Sequence, residues 1–248
     1  MRLTMLISRL STSLLLMLAA ITKSYADNTD CLCHPTPQDK LPQYIIGYGS
    51  LMETTSKNKT DNTSGENRPV MIDNYQRGWF ATGLSVGLST TYLGIVKQPN
   101  AHFNGTIFRL ATPSMIKNYD KREKYYCRVA VPTSSIHTLD HHPLPNGQFW
   151  IYETKPEFMA KPSEKYPLIE SYVDIFLSGC LEIEKKFHLK GFTAECIKTT
   201  TDWSPHWVND RIYPRRPFVF EPNALTIDKA LADKLPHIFN QIKPDGSP

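Results

Sequence analysis

The chain has 248 residues, with 28 Lys and Arg against 24 Asp and Glu and a formal net charge of +4. Residues 1–26 hold Arg2, Arg9 and Lys23 and no acid, so the remainder carries 25 bases against 24 acids, a net charge of +1. That balance excludes a nucleic-acid footprint, which needs a clustered basic excess.

The N-terminus has the layout of a secretory signal. Arg2 and Arg9 precede the apolar run Leu14–Ile21, and Ser24-Tyr25-Ala26 follows as a small-residue cleavage site. The sequence therefore predicts cleavage after Ala26 and an exported, periplasmic or secreted, protein. The apolar run is short for a membrane span, and no second candidate follows. Residues 27–43 are polar and Pro-rich and are read as a linker. Five cysteines remain, Cys31, Cys33, Cys127, Cys180 and Cys196. An exported chain can form disulfides, and the odd count leaves at least one thiol unpaired or paired to another chain. Cys31-Leu32-Cys33-His34 is one residue short of a zinc-binding spacing and has no second half, so no metal and no cofactor is expected.

Residues 44–248 are read as a single domain, with a core over 44–155 and a helical extension over 156–248. Tyr44-Ile45-Ile46 reads as a buried strand that meets the turn Gly47-Tyr48-Gly49-Ser50. Residues 54–68 are almost wholly polar and read as an exposed loop. Three β-branched and aromatic stretches follow, "VMIDNYQRGWFATGL", "TTYLGIVKQ" and "FNGTIFRLA", with Asn104-Gly105 as a tight hairpin turn. Thr112 caps a short helix begun by Pro113. "YYCRVAVPT" and "GQFWIYET" are further strands, and Tyr166–Phe187 is the longest helical stretch by its apolar spacing. In the tail, Ser204-Pro205 is read as starting a helix that carries Trp203 and Trp207, and Thr226 as capping a last helix. Strands early and helices late argue for an α+β fold.

Chemistry concentrates in two places. A strand ending in glycines presents successive backbone N–H groups to any anion that approaches, and glycine allows that approach. A helical turn beginning after residue 50 would add its positive end. The second place is Glu123, in "NYDKREKYYCRV", where the chain re-enters the sheet. A carboxyl desolvated there would have a raised pKa suited to acid–base work; a surface ion pair with Lys121, Arg122 or Lys124 is the alternative. Cys127, with His137, His141 or His142, could form a thiol–imidazole pair, though its strand setting favours a buried small side chain. Asp210-Arg211 and Arg215-Arg216 could grip a substrate carboxylate, but ion pairing of the extension to the core is favoured.

"YIIGYGSLM", "TTYLGIV", "NGTIF" and "YDKREKYYCRV", in this order, resemble the signatures of the γ-glutamylcyclotransferase-like (AIG2-like) family over Tyr44–Val131. The resemblance implies a small closed β-barrel with flanking helices, here with a helical C-terminal extension. It implies an enzyme in which a γ-glutamyl substrate cyclises to 5-oxoproline and releases an amine or amino acid. Carried onto this chain, Glu123 would be the general acid/base, and Tyr48, Gly49, Ser50, Leu51 and Tyr126 would bind substrate. The only partner so implied is a small γ-glutamyl molecule. Lys124 stands where the family usually has glycine, and the export signal departs from its cytosolic glutathione enzymes. A non-catalytic module binding small γ-glutamyl or carboxylate ligands is the other function the sequence leaves open.

Overall fold

The computed structural model of the protein describes residues 33–85, 87–216 and 222–244. The chain divides into two units, Met1–Cys33 and His34–Pro248, and every element named below lies in the second. The expected signal segment lies outside the described residues. Of the expected linker, residues 34–42 carry no regular element, yet they are fastened down. The His34 N–H donates to the Arg128 carbonyl at 2.9 Å, and the Gln38 N–H to Gln148 Oε1 at 2.6 Å.

The apolar run forms β1 (Gln43–Gly47), buried along its whole length. It pairs antiparallel with β3 (Leu88–Arg109) and parallel with β6 (Gln148–Thr154). Residues on both faces of such a central strand are covered, which is why it reads as a continuous apolar run rather than an alternation. β3 forms a long hairpin with β2 (Arg68–Ser85), whose register shifts twice, between Asp73 and Tyr75 and between Trp79 and Ala81. Such shifts bend a strand. The bent β2 pairs with β5 (Ile136–Thr138) at one end and with β8 (Thr200–Thr201) further along. β4 (Tyr126–Ala130) pairs with the outer edge of β6.

The resulting seven-stranded mixed sheet has the order β4-β6-β1-β3-β2-β5, with β8 on β2. The α+β class is as expected. The closed barrel is not what the hydrogen bonds describe: among the described residues the path is open, with β4 and β5 at its edges. These edges are consecutive in the chain and do not pair with each other among the described residues. Residues 131–135, through a 3-10 turn at Thr133–Ser135, connect them covalently instead.

Asn104-Gly105 is not a hairpin turn. Both residues lie inside β3, where Gly105 faces Val70 and Asn104 is 1% exposed. The turn falls between Ser85 and Leu88, where Gly87 has φ +80°. A tertiary requirement overrides the local signal. A Cβ at position 105 would lie 2.7 Å from the Gly47 carbonyl oxygen, so only glycine admits β1 here. The Asn104 side chain serves Arg77, which is fully buried on β2. The Arg77 guanidinium donates to the Asn104 carbonyl (2.7 Å) and Oδ1 (3.2 Å), the Tyr48 carbonyl (3.3 Å), the Cys196 carbonyl (2.9 Å), Thr199 Oγ1 (2.9 Å) and Thr200 Oγ1 (2.8 Å). It lies between the rings of Phe103 and Phe176, 5.3 and 4.8 Å from their centroids. Burial pushes its pKa down to about 9, so it remains charged at neutral pH.

Helices cover the sheet. α1 (Thr54–Asn58) lies in the stretch read as an exposed loop, and its Ser56 and Lys57 are buried. A 3-10 turn at Pro113–Met115 leads into α2 (Ile116–Arg122), as the Thr112-Pro113 signal predicts. α3 (Glu170–Lys186) is the long helix of the extension, and α4 (Phe192–Lys198) is joined to it by a Cys180–Cys196 disulfide. Cys127 is likewise part of a disulfide. The expected helix at Ser204-Pro205 is absent. Trp207 opens a strand, β9 (Trp207–Asn209), paired with β7 (Leu168–Ile169), and β10 (Lys243–Pro244) joins it. Trp203 and Trp207 still meet, stacked at 5.5 Å, because burying two indoles outweighs the local helix-start signal. α5 (Ala224–Lys234) begins after Asn223, which makes no side-chain cap hydrogen bond, so Thr226 lies inside the helix rather than capping it, and α6 (Pro236–Phe239) follows. No helix among the described residues is long and apolar enough to cross a membrane.

Arg77→Met keeps most of the side-chain volume and removes every donor. It leaves the Tyr48 and Asn104 carbonyls short of a partner, at about 1–3 kcal/mol for each such group. Calorimetry is expected to show Tm lowered by roughly 4–24 °C; a value within about 2 °C of wild type would contradict the role given to Arg77.

Candidate active site

β1 stops at Gly47 while its neighbours β3 and β6 run on, and the turn from Tyr48 to Glu53 occupies the gap this leaves. Two tyrosines bridge the gap. The Tyr48 hydroxyl donates to the Tyr152 carbonyl at 2.7 Å, and the Tyr126 hydroxyl to the Leu93 carbonyl at 2.8 Å. Burial raises the pKa of both phenols well above the ordinary value, so both stay protonated donors.

The turn is fixed from several sides. Asn67 Nδ2 donates to the carbonyls of Leu51 (3.2 Å) and Met52 (2.7 Å), and Arg77 holds the Tyr48 carbonyl. The helix α3 presses on it directly: a Cβ at Gly179 would lie 2.6 Å from the Glu53 nitrogen. A Cβ at Gly49 would lie 3.0 Å from the Tyr172 hydroxyl. Glycine at 49 therefore lets a phenol of α3 stand on the turn. Met52 N–H returns to the Gly49 carbonyl at 2.9 Å, but the N–H groups of Gly49, Ser50 and Leu51 donate to no protein acceptor among the described residues. The N-terminus of α1 does not add to this array. The Glu53 carboxylate caps it, accepting from Thr55 N–H at 3.0 Å and from Ser56 N–H.

Glu123 closes α2. Its N–H donates to the Tyr119 carbonyl (2.8 Å) and its own carbonyl accepts from Tyr126 N–H (2.9 Å), so its backbone is held at both sides. The ion pair that the sequence offered as an alternative exists, with Arg122 Nε 3.1 Å from Glu123 Oε1, but it is interior: the two side chains are 17% and 15% exposed. Arg122 also donates to the Ser56 carbonyl (2.7 Å), Thr60 Oγ1 (2.7 Å), Ser50 Oγ (2.9 Å) and Ser56 Oγ (3.0 Å). One guanidinium thus ties the carboxyl of Glu123 to the glycine turn and to α1. Burial raises the Glu123 pKa above 4.5, against the lowering fields of Arg122 and Arg216. In the fold, the protonated form is favoured. Its contribution to stability is full below pH 4.5 and is lost as pH rises through the folded pKa.

These groups surround one narrow recess, lined by Tyr48, Gly49, Ser50, Leu51, Glu123 and Tyr126 together with Leu93, Tyr152 and Tyr172. All six residues singled out in the sequence meet there. The recess adjoins a wider space of about 200 Å³ that shares Ser50, Glu123, Tyr126 and Tyr172 and adds Tyr92, Arg122, Lys124 and Arg216. An array of free amides facing a carboxyl of raised pKa can stabilise substrate oxygens while moving a proton.

Tyr172 and Tyr152 line the site and were not assigned from the sequence, and Arg216, raised there as a possible carboxylate grip but set aside in favour of ion pairing, lines the outer space. Tyr172 sits in the apolar stripe of α3 and read as packing; its phenol pKa is raised to about 12 by burial and by Glu123. Other candidates lie elsewhere. Cys127 is disulfide-bonded and has no free thiol. His137 contacts Asp73 at 2.8 Å, and His141 and His142 lie in an exposed loop. Arg211 pairs with Glu170 (3.3 Å), Asp174 (2.7 Å) and Asp228 (2.9 Å), tying the extension together.

No family model matches the chain. No curated protein sequence matches it. Solved structures do. An uncharacterized protein from Homo sapiens aligns at TM-score 0.51 and 13% identity, over 76% of this chain and 99% of that one. A structure described as a γ-glutamyl cyclotransferase aligns at TM-score 0.51 and 13% identity, over the same shares of 76% and 99%. The protein therefore has the fold of a γ-glutamyl cyclotransferase.

Glu123 is expected to titrate above pH 4.5 in a carboxyl-carbon NMR titration, and Arg216→Gln, which removes a lowering field, is expected to move it further up. A titration at or below 4.5 would contradict the desolvation argued for this carboxyl.

Proposed function

We propose that this protein is an enzyme of the γ-glutamylcyclotransferase type, whose fold it shares. The observation that carries the proposal is the meeting, in one recess, of three unengaged amides from the Gly49–Leu51 turn with the carboxyl of Glu123.

The substrate supplies its own nucleophile. The α-amino nitrogen of a γ-glutamyl compound attacks its own γ-carbonyl carbon, and a C–N bond forms. Ionised Glu123 takes the proton that this nitrogen loses. The turn amides donate to the carbonyl oxygen as it gains negative charge. Glu123 then delivers the proton to the leaving nitrogen, and the old C–N bond breaks. The products are 5-oxoproline and a free amine or amino acid, and no water is consumed. The protein's task is to fold the substrate back on itself, an effect that can supply about 7–11 kcal/mol of the barrier. The phenols of Tyr48, Tyr126 and Tyr172 narrow the recess and keep it from bulk water. Arg122 holds the base against the turn. Its charge also opposes the rise that burial imposes on the pKa of Glu123.

With residues 1–26 as an export signal, this reaction takes place outside the cytoplasm. N-terminal sequencing of the purified mature protein is expected to begin at Asp27; an intact N-terminus in an exporting host would remove that part of the proposal.

Incubation with γ-glutamyl dipeptides, γ-glutamylamines and glutathione is expected to yield 5-oxoproline by mass spectrometry. Glu123→Gln is expected to lower the rate by about 10²–10⁴-fold. A folded wild-type protein that binds these compounds and releases nothing would establish a binding module instead.

A further inference from the structure

Resting on the cyclotransferase reading, we infer that Arg216 selects substrates whose leaving group carries a carboxylate, that is, γ-glutamyl amino acids or peptides rather than γ-glutamylamines.

Arg216 belongs to the C-terminal extension, and its backbone is anchored with care. Its N–H donates to Ser171 Oγ at 3.0 Å. That hydroxyl donates to Asp210 Oδ2 at 2.7 Å, and Asp210 also accepts from the N–H of Ser171 (2.8 Å) and of Arg215 (2.7 Å). Asp210 is 1% exposed, so a buried carboxylate pins this segment to the first turn of α3. From there the Arg216 guanidinium lies over the rings of Tyr92 and Tyr172, at 5.8 and 6.0 Å. Two aromatic faces hold a cation in place without using any of its N–H donors. Among the described residues those donors make no hydrogen bond and no ion pair with the protein.

The other cations of the outer space differ. Arg122 is fully occupied by Ser50, Ser56, Thr60 and Glu123. Lys124 is exposed and rests on Tyr125 at 5.0 Å. Arg216 is thus a planar fork with free donors, the geometry that matches a carboxylate in bidentate fashion.

Position decides which carboxylate. Glu123 lines both the inner recess and the outer space, so the bond that breaks lies at their junction. The inner recess, with its free amides, takes the glutamyl half. The leaving group must then extend outward, where Arg216 stands. A charged hydrogen-bonded contact of this kind contributes about 1.5–3 kcal/mol, equivalent to roughly 10–150-fold in affinity.

Calorimetry on Glu123→Gln protein tests this without turnover, using γ-glutamylalanine and γ-glutamylethylamine, which differ by one carboxylate. The alanine compound is expected to bind roughly 10–150-fold tighter, and adding Arg216→Gln is expected to remove that preference. Equal affinities, an undiminished preference in the double variant, a loss of the same factor for both ligands, or no binding of either would overturn the inference. Turnover by wild type separates the two ideas. Release of 5-oxoproline with no carboxylate preference defeats the Arg216 inference alone. A preference that depends on Arg216, with no 5-oxoproline, upholds it and defeats the cyclotransferase reading alone.

Discussion

The buried guanidinium of Arg77 is the constraint on which the rest of this structure depends. A charge with no exposed surface must have every donor engaged. Here the engagement reaches the glycine turn through the Tyr48 carbonyl, β3 through Asn104, α4 through Cys196, and β8 through Thr200. None of these acceptors is a carboxylate. Satisfying one arginine therefore fixes where the C-terminal extension meets the sheet. It also explains why an Asn-Gly pair sits in mid-strand, and why the turn after β1 cannot relax into a plain connection.

With the extension placed, α3 brings Tyr172 and the bare backbone of Gly179 against the turn from the opposite side. The turn is held from below by Arg77, from above by α3 and at its exit by Asn67. Its three free amides are thus kept in a geometry that no hydrogen bond of their own defines. Such preorganisation is what an electrostatic site needs, because donors already aimed at a developing charge do not have to reorganise. Glu123 is held with similar economy, its backbone by α2 and β4 and its carboxyl by Arg122. In the proposed reaction a single acid–base group suffices, because nucleophile and electrophile arrive in one molecule and the recess has only to bend it.

The parts of the site that are contiguous in sequence were legible there. The turn from Tyr48 to Leu51 announces itself by its glycines, and Glu123 by its place between a charged stretch and an aromatic strand. Tyr172 was not legible, being locally one member of an apolar stripe. Arg216 was legible as a carboxylate grip, but ion pairing of the extension was the favoured reading, and only the fold brings it to the site. The errors share a cause. Asn104-Gly105 and Ser204-Pro205 are good local signals, for a hairpin and for a helix start. Each was overridden by a buried group, Arg77 in the first case and the stacked indoles of Trp203 and Trp207 in the second. The polar stretch 54–68 was misread for the opposite reason. Lys57 and Asn67 are buried because they serve backbone carbonyls, Lys57 Nζ that of Gly65 at 2.5 Å and Asn67 those of the site turn. Polarity there stabilises a packed loop rather than marking exposure.

The central claim is that the substrate's own amine, and not water or a protein side chain, attacks the γ-carbonyl. The most direct measurement is turnover in water labelled with heavy oxygen, followed by mass spectrometry of the glutamyl product. The account predicts 5-oxoproline with no heavy oxygen incorporated. Glutamate carrying one heavy oxygen would mean that water is the nucleophile, and would contradict it.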